Sequence, residues 1–141
     1  MALYLDTEFN GFKGNLISLG IYNTNGEHWY NELDYKLINK PIILWVIQNV
    51  IPKLEGTPID FIKFQMQLCE YLNKHENEII YADWAEDFQH LLDHIYANYG
   101  IKYLKKLKLE LITTEDKFIS KIPHHALYDA EVLYKNHTMV K

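Results

Sequence analysis

The stretch LYLDTEFNG, residues 3–11, sets two carboxylates two positions apart at the end of an apolar run. Alternate side chains of a strand share a face, so Asp6 and Glu8 project together with Cα atoms roughly 6.5–7 Å apart, while Thr7 points the other way. That separation suits two acids sharing a divalent cation. The simpler alternative is a strand that frays at Asp6 and leaves both acids facing water.

Two further stretches carry residues of the same kind. In YADWAEDFQHLLD, Asp87 falls in the first turn of an amphipathic pattern directly after a strand-like run. The helix dipole alone favours an acid there. Asp83 and Glu86 compete for any role, since Asp83 could be the N-cap with Glu86 reaching back to it. In PHHALYDAE, Asp129 has Ala126, Ala130 and Leu133 as helical neighbours, so its carboxylate leaves the edge of an apolar face, where an isolated charge is costly. The small Ala126 and Ala130 would let a ligand or a neighbouring strand approach. His124 would stand about 140° from Asp129 on one continuous helix, but Pro123 puts it in the loop or first turn. His125, four residues before Asp129, shares its face. Spacing leaves both histidines open.

These residues need elements to hold them. Met1–Leu5, Leu16–Tyr22 and Glu27–Leu33 read as three strands of a meander, with the turn NTNGE before the third. Ile42–Ile51, between Pro41 and Pro52, is too apolar all round for a surface helix. Thr57 and Pro58 would start a helix carrying Phe61, Ile62, Met66, Leu68, Cys69 and Leu72. Glu78–Ala82 reads as a fourth strand. Trp84–Tyr99 follows as a helix with Phe88, Leu91, Leu92, Ile95 and Tyr99 on one stripe, closed by Gly100. Leu107–Thr113 suits a fifth strand, and Pro123 introduces a last helix with Ala126, Leu127, Ala130, Leu133 and Tyr134 on one side. The expected fold is α/β, a mixed sheet of about five strands with helices on both faces.

Composition narrows the function. A chain of 141 residues, 48% hydrophobic, fits one domain with a sizeable core. The formal charge is −5 and all 14 cationic side chains are lysines, so neither the overall field nor a bidentate arginine fork attracts phosphate. This disfavours a sequence-specific DNA-binding module. One cysteine, Cys69, excludes disulfides within the chain. With no signal-like start and no apolar run near the ~20 residues of a membrane span, a cytoplasmic protein without membrane contact is expected.

Taken together, the motifs resemble the DEDDh 3′-to-5′ exonucleases of the ribonuclease H-like superfamily. The match falls on Asp6 and Glu8 in DTEFNG, on Asp87 with Leu91 after it in ADWAEDFQHL, and on His124 and Asp129 in HHALYDAEVL. H-x-A-L-x-D-A is the most specific part, and its four-residue gap selects His124 over His125. The resemblance covers Asp6 to Glu131 in the expected order and is strongest to the small exoribonuclease-like members of bacteria and phages.

The resemblance implies a single ribonuclease H-like domain over residues 1–141. It implies that Asp6, Glu8, Asp87 and Asp129 bind two Mg²⁺ or Mn²⁺ ions, with His124 as general base. Phe9 and Asn10 fall where such enzymes hold the terminal nucleotide. The implied activity is hydrolysis from the 3′ end of single-stranded RNA or DNA, RNA slightly favoured, releasing nucleoside 5′-monophosphates. The chemistry agrees: four clustered carboxylates require cations, two ions clamp a phosphate, and histidine titrates near neutrality. A rival class is an exonuclease-fold module without turnover that binds nucleic-acid ends or a protein; an endonuclease is disfavoured by the histidine spacing. Lys102–Lys108 reads as a solvated lysine face or a backbone track. His90 and His94 have zinc-compatible spacing but read as half-exposed surface histidines. The Ile42–Ile51 segment would bury itself or meet a second subunit, a possible homodimer.

Overall fold

A computed structural model describes residues 2–96 and 106–139. In chain order the elements are β1 (Ala2–Phe9), β2 (Leu16–Asn23), β3 (Trp29–Glu32), α1 (Leu44–Asn49), α2 (Phe61–Lys74), β4 (Ile79–Ala82), α3 (Ala85–Tyr96), β5 (Lys108–Leu111) and α4 (Ala126–Thr138). The strands form one sheet in the order β3-β2-β1-β4-β5. β1, β2 and β3 pair antiparallel, β4 runs parallel to β1, and β5 parallel to β4. The chain is therefore α/β with a mixed five-stranded sheet, as its alternation of strand and helix patterns implies.

Side-chain alternation along β1 divides the sheet into two faces. Leu3 and Leu5 pack with Leu19 and Ile21 of β2, with Phe64, Leu68 and Leu72 of α2, and with Leu91 and Ile95 of α3. On the other face Tyr4 stacks on Tyr81 and meets Tyr134 of α4 edge-on, while Tyr22 stacks on Tyr134. α4 lies close against the sheet because β2 carries Gly20 beneath it. A β-carbon there would stand 2.5 Å from the Leu127 backbone nitrogen. In register, Gly20 is the partner of Asp6.

Several expectations change. β1 does not fray at Asp6: it stays paired through Asp6, Glu8 and Phe9, with a bulge between Glu8 and Phe9. The Ile42–Ile51 segment does form a surface helix, though a short one. Only Val46 of α1 is buried, packing with Ile17 and Val50, while Leu44 and Trp45 are 65% and 52% exposed. Thr57 is not a cap. The buried Glu32 carboxylate accepts the Glu55 and Gly56 N–H groups, and Ile59 donates to the Glu32 carbonyl, which keeps the chain extended up to Asp60. Asp60 then caps α2 by accepting from the Lys63 N–H. Ile62 and Met66 are exposed rather than core. Tyr99, Gly100 and residues 102–105 lie outside the described residues. No helix among the described residues is long and apolar enough to cross a membrane.

Candidate active site

Asp6 and Glu8 stand on the face of β1 that carries α4, and Thr7 points to the opposite face, where α2 and α3 pack. Asp129 comes from the first turns of α4, brought down onto β1 by the close approach at Gly20. Asp87 comes from the first turn of α3, at the end of β4. Thr7 reaches this acid from the other side: its hydroxyl donates to Asp87 Oδ1 at 2.6 Å and its backbone N–H to the same oxygen at 3.2 Å. The residue between the two strand acids thus fixes the third.

The carboxylates sense one another. Burial, then the charges of Asp87, Glu8 and Asp129, raises Asp6 well above the usual carboxylate range. Burial and the nearby Asp129 push Glu8 up to about 8. Asp87 is pushed up to about 7 by burial, although its Thr7 hydrogen bonds oppose the shift. Asp129 is also raised by burial, against the hydrogen bond from the His124 N–H. Asp6 Oδ2 is buried and accepts no hydrogen bond. Buried carboxylates of this kind carry an unmet demand for positive charge.

His124 lies in the turn before α4, as Pro123 implies. Its backbone N–H donates to Asp129 Oδ2 at 3.0 Å, and its ring meets Trp45 edge-on. Glu8, His124 and Asp129 each bring one ligand-type atom within 4.8 Å of the others. His125 goes elsewhere. It precedes the helix with extended backbone (φ −106, ψ 120), so helical spacing does not govern its side chain. Its ring stacks on Tyr30 and its Nε2 lies 3.2 Å from Glu55 Oε1.

Other expected site residues turn to structural contacts. Asn10 is buried and uses both ends of its amide on the loop before α1: Nδ2 donates to the Pro41 carbonyl and Oδ1 accepts from the Ile43 N–H. Phe9 packs against His90 with the rings tilted and their centroids 4.6 Å apart. His90 is buried rather than half-exposed, and His94 Nδ1 sits 2.7 Å from the His90 carbonyl oxygen. Glu86 does not reach back to Asp83; it accepts from the Lys13 N–H at 3.0 Å. Asp83 stands at the margin of the cluster, largely exposed as a residue but with its carboxyl partly desolvated, which raises it, followed by the charges of Asp116 and Asp129. Thr7, Gly20 and Trp45 were not singled out by residue type. A glycine inside an apolar strand was the one available signal, since it marks close backbone approach.

The donor set is all oxygen apart from one imidazole, which fits hard divalent cations. Compared with models of known protein families the chain matches none, and no curated protein matches its sequence.

Proposed function

We propose that this protein is a metal-dependent 3′-to-5′ exonuclease of the DEDDh type, built on a ribonuclease H-like fold and acting on single-stranded nucleic acid, with RNA slightly favoured. The observation that carries the reading is the meeting of Asp6, Glu8, Asp87 and Asp129, from three separate parts of the chain, with His124 beside two of them. The unsatisfied Asp6 Oδ2 and the raised pKa of each acid support this reading, because crowded buried carboxylates demand positive charge.

Asp6, Glu8, Asp87 and Asp129 would hold two Mg²⁺ or Mn²⁺ ions, which supply neutralising charge at the scissile phosphate and a more acidic water. The chain's own residues do the rest. Thr7 orients Asp87 so that its second oxygen is free for a ligand. Asp129 receives the His124 N–H and so ties the histidine to the acids. The His124 imidazole takes the proton of the attacking water, whose oxygen bonds to phosphorus as the bond to the 3′ oxygen breaks; that oxygen leaves on the shortened strand and takes a proton from solvent water to become its 3′ hydroxyl. The other product is a nucleoside 5′-monophosphate. The exposed face of Trp45, next to His124, leaves room for a terminal base to stack.

The test is degradation of a single-stranded oligonucleotide labelled at its 5′ or 3′ end, with Mg²⁺, Mn²⁺ or EDTA. A descending ladder from the 5′ label, immediate release of labelled mononucleotide from the 3′ label, and loss of both in EDTA are expected. Binding without cleavage in every metal would instead favour a module that recognises nucleic-acid ends.

A further inference from the structure

We propose that His125 is a positioning residue, which through its contact with Glu55 holds the backbone of His124 in the conformation that presents the imidazole to Glu8 and Asp129. This rests on the reading of His124 as the base.

His124 has φ +66, in the left-handed region that is uncommon for any residue other than Gly, although His enters it more often than most. Such a residue stays there only when its surroundings over-determine it. Two constraints act from either side. Ahead of it in the chain, His125 occupies the N-cap of α4 yet makes no capping hydrogen bond, the task for which Ser, Thr, Asp or Asn suit that position. Its ring is buried instead, stacked on Tyr30 at 4.4 Å between centroids, with Nε2 facing Glu55. Behind it, the His124 N–H is pinned by Asp129.

Glu55 is itself held in place. Its backbone N–H and that of Gly56 donate to the Glu32 carboxylate, which also accepts the Tyr30 hydroxyl. Tyr30 therefore both braces the anchor loop and supplies the surface on which His125 stacks. The result is a closed ring of contacts, Glu32 to Glu55 to His125 to Tyr30 and back, fixed on β3 and adjoining the acid cluster without belonging to it. Acting next to His124, it sets where the imidazole sits rather than touching any reacting atom.

The experiment compares wild type with His125→Phe, which keeps a ring on Tyr30 but removes the Nε2 contact, and with Glu55→Ala and Glu55→Gln. Kinetics are measured on a single-stranded oligonucleotide, together with Tm. In metal-free ¹⁵N-labelled protein, the His124 amide resonance and its hydrogen-exchange protection are followed. A displaced base predicts kcat lowered about ten- to hundredfold in His125→Phe and Glu55→Ala with KM nearly unchanged. It also predicts recovery of most of that loss in Glu55→Gln, whose amide oxygen still accepts, and a His124 amide that shifts and loses protection in the two deleterious variants. Wild-type kcat per folded molecule with an unmoved His124 amide in both would overturn the proposal. If wild type itself cleaves nothing, the exonuclease reading fails, and the amide resonance alone decides whether His125 positions His124.

Discussion

The two faces of β1 carry the same alternation of side chains to opposite ends. On the face toward α2 and α3, Leu3 and Leu5 are fully buried in a continuous apolar core, and the one polar group of that row, Thr7, spends its hydroxyl on Asp87. On the face toward α4, Tyr4 finds aromatic partners, but Asp6 and Glu8 face Asp129 and the neighbouring acids with no cationic side chain paired to them among the described residues. One face is satisfied by folding alone. The other is left in deficit by folding, and that deficit is what a ligand can use.

The sharpest way to break this comparison is to alter one residue on each face. His124→Ala should lower turnover by about 10²–10⁴, the range for a lost general base, and Asp6→Asn by about 10²–10³ or more. Neither should unfold the protein. Leu5→Ala, on the satisfied face, should do the reverse: about 2–5 kcal/mol of stability lost in urea unfolding, with turnover per folded molecule retained. Equal effects on both measurements from both faces would remove the distinction.

A finer effect appears without metal. Asp6→Asn removes one of the crowded acids, so in EDTA it should raise Tm by roughly 4 °C, the shift that ~1 kcal/mol gives in a domain of this size. A fall in Tm would mean that Asp6 is stabilising as an anion.

The smallest effect is the pH dependence. Glu8 and Asp87, at about 8 and about 7, lie above the ordinary carboxylate range, so the folded chain keeps protons that the unfolded chain releases. Their contribution is complete at low pH and is lost as pH rises through 7 to 8. The buried His90 and His94, both lowered, act in the opposite sense but only below the ordinary histidine range. Tm in EDTA should therefore decline between pH 7 and 8.5, and Mn²⁺ should remove the decline. A flat profile in EDTA would show that the acids are not crowded.

The same contrast explains how far the sequence could be read. The core face was legible because periodicity reports burial: the stripes of α2 and α3 and the strand pattern gave the sheet and its helices. Asp6 and Glu8 sharing a face followed from strand alternation, and the turn position of His124 from Pro123. Spacing could not separate His124 from His125, because His125 sits one residue before the helix and takes its orientation from Tyr30 and Glu55, distant in sequence. The hydrogen bonds of Asn10 were hidden for a similar reason, since its partners are backbone groups of a loop about thirty residues away. The helix start expected at Thr57 failed because Glu32, on another element, captures the backbone N–H groups just before it. α1 was misjudged because its apolar surface is left outside the core.

Direct titration of Mn²⁺ into the metal-free chain, followed by calorimetry or by loss of the free-ion electron paramagnetic resonance signal, tests the central claim with the fewest intermediate steps. The account predicts two ions bound per chain at neutral pH and impaired binding in Asp6→Asn and Asp129→Asn. A wild-type chain that binds no Mn²⁺, or binds it equally well without those two carboxylates, would contradict it.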